Sequence, residues 1–104
     1  MYIRLLLEYG TYPVWLYADD GGVIDTRLPD ELSNDTELEA RFDDLQRRYH
    51  ELFINNEKEF SYVGFKLSDE KKAFYADMLD AIHELKEKLG DRYEIVDDIS
   101  RKCK

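Results

Sequence analysis

The side chains in this chain that could do chemistry are two adjacent carboxylate pairs, Asp19-Asp20 and Asp43-Asp44, two histidines and one cysteine. Two carboxylates make a general acid–base pair when their surroundings push their pKa values apart. One pair here sits in a glycine-rich turn and the other on a charged helical stretch, so neither has a reason to be buried. His50 and His83 are followed by Glu51 and Glu84, but neither has a second histidine four positions on, so no HExxH zinc motif forms. Both read as surface or boundary residues. Cys103 lies in a basic tail with no base beside it, and as the only cysteine it excludes an internal disulfide and fits a reducing compartment. "DDGGVIDTRLPDE" lacks the alternating oxygen ligands, the glycine at the sixth position and the glutamate at the twelfth that a calcium loop needs. Gly21-Gly22 leads into strand-like rather than helical sequence, which rules out a phosphate-cradling loop. These residues define no catalytic set, no metal site and no cofactor site. The expectation is a protein that is not an enzyme.

What the charge does is more informative than any one group. The 104 residues carry 24 acids and 15 bases, a net −9. That disfavours a nucleic-acid binder, which needs a basic stripe to meet phosphates. Between Asp19 and Asp44 stand ten acids against Arg27 and Arg41, so this quarter carries 2 − 10 = −8. The other 78 residues hold 13 bases and 14 acids, a net −1. The acidity is local.

The elements that must position this segment can be read from pattern. At this length one domain is expected, residues 1–104, burying roughly two-thirds of its unfolded surface. The opening "MYIRLLLEYG" is too short an apolar run for a signal peptide. No stretch approaches membrane-spanning length, which points to a soluble, cytoplasmic protein. Tyr2 to Tyr9 reads as a central strand and Val14 to Ala18 as its antiparallel neighbour, with Pro13 tolerable at the entry. Asp19 to Gly22 has the residues of a tight hairpin, and Val23 to Thr26 makes a short third strand. Pro29 closes it and starts a helical turn through Leu32.

Asn34 or Asp35 caps the next helix, whose stripe is Leu38, Phe42, Leu45, Tyr49 and Leu52, about five turns stopped at Asn55-Asn56. A structureless run from Ile54 to Leu67 would be long for so small a domain, so a strand is placed in residues 59–66. Ser68 caps a second helix, with Ala73, Phe74, Met78, Ile82, Leu85 and Leu89 on its buried stripe and Gly90 at its end. "RYEIVDDI" alternates as a last strand. The order β-β-(β)-α-β-α-β gives an α+β fold, a mostly antiparallel or mixed sheet with two amphipathic helices packed on it.

Trp15 and Tyr17 share one face of their strand, with Val14 and Leu16 on the other. Either both faces are buried or one awaits a partner. Acids beside exposed aromatics suit a basic partner, steering its approach. With the small acidic character, the stretches "YGTYPVWLYADDGGVIDTRLPDEL" and "LFINNEKEFSYVGF" resemble those of the small acidic immunity proteins that accompany bacterial polymorphic toxins. The resemblance implies a non-enzymatic protein that neutralises a basic toxin by binding it. In that reading Trp15 and Tyr17 are the anchors, and Asp19, Asp20, Asp25, Asp30, Glu31, Glu39 and Asp43 meet the partner's cations. The rival is a small structural or regulatory subunit that self-associates through the aromatic strand, its acids only solvating. The chain would be a monomer or a homodimer, with no nucleic acid and no membrane as partner.

Overall fold

The computed structural model describes residues 1–55 and 58–100. Cys103 and Asn56 lie outside the described residues. Four strands form a mixed sheet: β1 (Tyr2–Leu5), β2 (Val14–Tyr17), β3 (Val23–Thr26) and β6 (Ile95–Asp97), in the order β3-β2-β1-β6. β1 pairs antiparallel with β2 and parallel with β6, so it is a central strand, as expected. It is shorter than the apolar run, ending at Leu5; Leu6 still donates its N–H to the Pro13 carbonyl at 3.1 Å, and Leu6 and Leu7 are half-buried.

Alternation divides the sheet cleanly. Ile3 and Leu5 of β1 and Val14 and Leu16 of β2 are at most 1% exposed and form its inner face. α1 (Thr36–His50) and α2 (Ser68–Leu89) pack against that face. α1 contributes Leu38, Phe42 and Leu45, and α2 contributes Phe74, Met78, Ala81, Ile82, Leu85 and Leu89. Between β3 and α1 a 3₁₀ turn at Asp30–Leu32 follows Pro29, and Leu28 and Leu32 close the core there. Tyr49, Leu7 and Ile95 pack against the core but stay partly exposed.

α1 begins where its chemistry dictates. The Asp35 carboxylate accepts the Leu38 N–H at 3.1 Å, Glu37 and Glu39 occupy the first turn, and Arg47, Arg48 and His50 the last, each sign matching the helix dipole. Its end differs from expectation. The helix stops at His50, and Leu52, still buried, offers its carbonyl to the N–H groups of Val63 and Gly64. Asn55 therefore belongs to a strand, β4 (Phe53–Asn55), paired antiparallel with β5 (Phe60–Tyr62) in a separate two-stranded sheet. Stacking of Phe53 on Phe60 and its edge contact with Tyr62 outweigh the continued helical spacing of Leu52. β5 realises the strand expected in residues 59–66, and β4 is additional.

Two further expectations are corrected at α2. Ser68 does not cap it: Leu67 is the N-cap, in extended backbone, and makes no side-chain cap bond. Ala73 is exposed, one position off the buried stripe, and Ala81 takes its place in the core. Gly90 ends the helix at φ 57°, a left-handed conformation that a side chain would resist.

Leu45 and Ile82 are each 2% exposed within the one core cluster. Leu45→Ala and Ile82→Ala should each destabilise the fold by about 2–5 kcal/mol, the range for emptying a buried aliphatic site. Chemical denaturation reading under about 1 kcal/mol for both would contradict this packing.

Candidate functional site

The alternation that buries Ile3, Leu5, Val14 and Leu16 sends the intervening side chains to the outer face. Cross-strand neighbours there are Val23, Tyr17 and Tyr2 in one row and Thr26, Trp15, Arg4 and Val96 in the next. None of these residues belongs to the core cluster. The rings lie in a ladder: Tyr2 stacks on Tyr17 with centroids 5.0 Å apart, and Tyr17 on Trp15 at 6.5 Å. The Trp15 indole N–H donates to the Leu6 carbonyl at 3.3 Å, which holds the ring over the end of β1. Tyr17 is only 9% exposed and Trp15 and Tyr2 are half-buried, so the 52% exposed Val23 and the uncovered parts of those two rings make the surface. Arg4 donates to Asp98, and Asp98 first and Tyr17 second hold its guanidinium firmly charged.

At the edge of this face the hairpin turns through Asp19 to Gly22. Asp20 accepts the Gly22 N–H at 2.9 Å and Gly21 adopts φ 92°, the turn chemistry that the DDGG run implied. Asp19 receives the N-terminal ammonium. Leu16 faces Asp25 and Tyr17 faces Val23, so Ile24 is an extra residue, a bulge in the edge strand. A bulge and a charge on an edge both discourage strand-to-strand association there.

The ten acids of this quarter have different circumstances. Arg27 binds Asp25 and Asp30, each at 3.0 Å; Asp44 binds Arg47 at 2.6 Å; and Asp35 binds Lys88. Glu31 accepts from the Tyr93 hydroxyl at 2.9 Å. Among the described residues Asp20, Glu31, Glu37, Glu39 and Asp43 have no cationic partner. Glu39 and Asp43 meet at a cleft of about 250 Å³ that Tyr12, Thr26, Arg27 and Leu28 also line. The Tyr12 hydroxyl donates to the Glu39 carbonyl at 3.4 Å, and burial first, then the Asp43 and Glu39 carboxylates, raise its pKa and keep it protonated. Thr26, on the cleft wall, is the cross-strand neighbour of Trp15, so aromatic face and acidic cleft adjoin.

The expected site residues thus fall into three places. Trp15 and Tyr17 lie on the outer face, Asp19, Asp20 and Asp25 along its edge, and Asp30, Glu31, Glu39 and Asp43 around the 3₁₀ turn and the start of α1. Tyr2, Val23 and Arg4 were missed. The alternation of Tyr2 and Arg4 with Ile3 and Leu5 was the available signal. His50 accepts the Gly10 N–H at 2.7 Å and rests on the Tyr9 ring, while the exposed His83 pairs with Glu87. No group of three or more His, Cys, Asp or Glu side chains able to hold a metal exists among the described residues.

An α+β fold with a half-buried aromatic ladder on its outer sheet face and an adjoining acidic cleft is thus the setting for the comparison with known families. Residues 1–97 match the family model described as Serratia CdiI immunity protein-like. The chain belongs to that family, one of immunity proteins of contact-dependent inhibition toxin systems. No match is found among curated proteins.

Two carboxylates that tie the ends of this architecture together should govern its acid tolerance. The Asp35 pKa is lowered by Lys88 first and the Leu38 N–H second. Burial pushes Asp97 up, but the Ser100 hydroxyl and N–H and Lys86 outweigh it and leave it lowered too. A depressed carboxylate contributes stability that is present above its unfolded pKa, about 3.9, and is lost as pH falls through the lower folded value. Stability measured by denaturation should therefore fall below about pH 4, and the combined Asp35→Asn, Asp97→Asn variant should show a shallower fall. An unchanged acid profile in that variant would contradict the assignment.

Proposed function

We propose that this chain neutralises its toxin by binding it through the outer sheet face and the acidic rim beside it, without catalysis, in the cytoplasm. The carrying observation is the ladder Tyr2–Tyr17–Trp15, flanked by Val23 and set beside carboxylates that have no cationic partner among the described residues. Protein interfaces concentrate their energy in a few aromatic anchors inside a polar rim. Trp15 supplies such an anchor, and its ring is already held in place by Leu6, which lowers the entropy lost on binding.

The acids divide the work. Asp20, Glu39 and Asp43, which pair with no cation among the described residues, steer a basic partner. Asp19, Asp25 and Asp30 are engaged in exposed ion pairs, each worth only about 0–1 kcal/mol, so a partner's arginine or lysine can displace the existing cation at little cost. Glu31 holds Tyr93 and contributes from the far side of the 3₁₀ turn. No helix of the described residues is long and apolar enough to cross a membrane.

Two measurements on the complex with the cognate toxin domain separate anchor from steering. Trp15→Ala, with the fold intact by circular dichroism, should weaken binding at least about tenfold, mainly through faster dissociation. The combined Asp20→Asn, Glu39→Gln, Asp43→Asn variant should instead slow association and flatten its dependence on salt, with dissociation changing less. Stability should hold or rise as repulsion is relieved. An association rate indifferent to both salt and the three substitutions, together with full affinity in Trp15→Ala, would overturn the reading.

A further inference from the structure

A second aromatic surface lies away from the acidic quarter. Among the described residues, four of the eight exposed large apolar side chains fall within eight positions: Phe60 at 57%, Tyr62 at 60%, Val63 at 53% and Leu67 at 61%. Phe53, Phe60 and Tyr62 share one face of the β4–β5 hairpin, where Phe60 stacks on Phe53 at 5.5 Å and meets the Tyr9 ring at 4.9 Å. Val63 also borders a cleft of about 510 Å³ in which Leu52 and Phe65 lie among Arg48, Glu51, Lys66 and Glu70. Three-residue strands in a two-stranded sheet cannot cover such side chains from both sides. Exposed apolar side chains gathered on and beside one hairpin mark a candidate interaction surface.

We infer that this hairpin surface is where a second copy of the chain docks. Charge selects this occupant. Residues 51–72 contain four lysines and five acids, 4 − 5 = −1, against −8 for residues 19–44. A two-fold dimer brings one patch against itself, so each charge meets its own kind unless signs alternate. Around the hairpin they do alternate, with Lys58 beside Glu59 and Lys66 four residues before Glu70. The acidic face would repel its own copy, and the near-neutral hairpin would not. A basic toxin, conversely, finds nothing here to steer it. The group of exposed side chains is far smaller than the roughly 20–30 residues a side of a standard stable interface, so the dimer is weak.

The test is sedimentation equilibrium of the full chain alone, from micromolar to sub-millimolar concentration. The apparent mass should climb from 12.4 kDa toward twice that value. Tyr62→Lys and, separately, Leu67→Lys should each weaken the dimer at least about tenfold while leaving the circular dichroism spectrum and toxin affinity unchanged. Leu67 is an exposed helix-flanking residue, so its substitution keeps the test open if Tyr62→Lys perturbs the hairpin. Three results would overturn the inference: a monomer at every concentration, a dimer untouched by either substitution, or a loss of toxin affinity in both variants, which would assign the patch to the toxin.

Discussion

The structure depends on the two-faced alternation of β1 and its partner β2 at the centre of the sheet. Because successive side chains in a strand point to opposite faces, Ile3 and Leu5 commit one side to the helices and thereby commit Tyr2 and Arg4 to the other. The antiparallel register then sets Tyr17 against Tyr2 and Trp15 against Arg4. A one-residue slip would exchange the faces, placing aromatic and charged groups in the core. The same constraint that makes the core therefore makes the outer ladder. Helices on one side of the sheet leave the other available, and in this chain that other side is aromatic.

The acidic quarter is less uniform than its net charge suggests. Arg27 gathers Asp25 and Asp30 across the turn that leaves β3, and Lys88 on α2 reaches Asp35 at the start of α1. These pairs join the 3₁₀ turn and the two helices, so part of the acidity is architectural. Among the described residues no cation pairs with Asp20, Glu31, Glu37, Glu39 or Asp43, which are left to solvent, to the Tyr93 hydroxyl in the case of Glu31, or to a partner. Glu39 and Asp43 flank Tyr12 in the cleft, where burial and both carboxylates favour the neutral phenol. A cation approaching that cleft meets negative charge that no described side chain already satisfies.

Local rules made much of this legible. The spacing of Leu38, Phe42 and Leu45, the Asp35 cap, the hairpin chemistry of Asp19 to Gly22 and the stop at Gly90 each express a short-range preference that the fold respects. The misses were decided by tertiary contacts. Leu52 keeps helical spacing with Tyr49 yet leaves the helix, because aromatic pairing across β4 and β5 is available. Of the candidate site, the sharing of one face by Trp15 and Tyr17 could be read directly from alternation. Which acids were free could not: Asp35 and Lys88 are 53 residues apart, and Glu31 and Tyr93 62. Nothing in their neighbourhoods along the chain announces the pairing.

Membership in the immunity family makes toxin binding the central question, and the two aromatic surfaces make its location testable. Hydroxyl-radical footprinting of the chain with and without its cognate toxin domain reads side-chain cover at both surfaces in one experiment, at concentrations low enough to keep the chain monomeric. The account predicts that the toxin slows oxidation of Trp15 and Tyr2 on the outer face while Phe60 and Tyr62 on the hairpin react as in the free protein. Protection of Phe60 and Tyr62 with Trp15 and Tyr2 still open would contradict it.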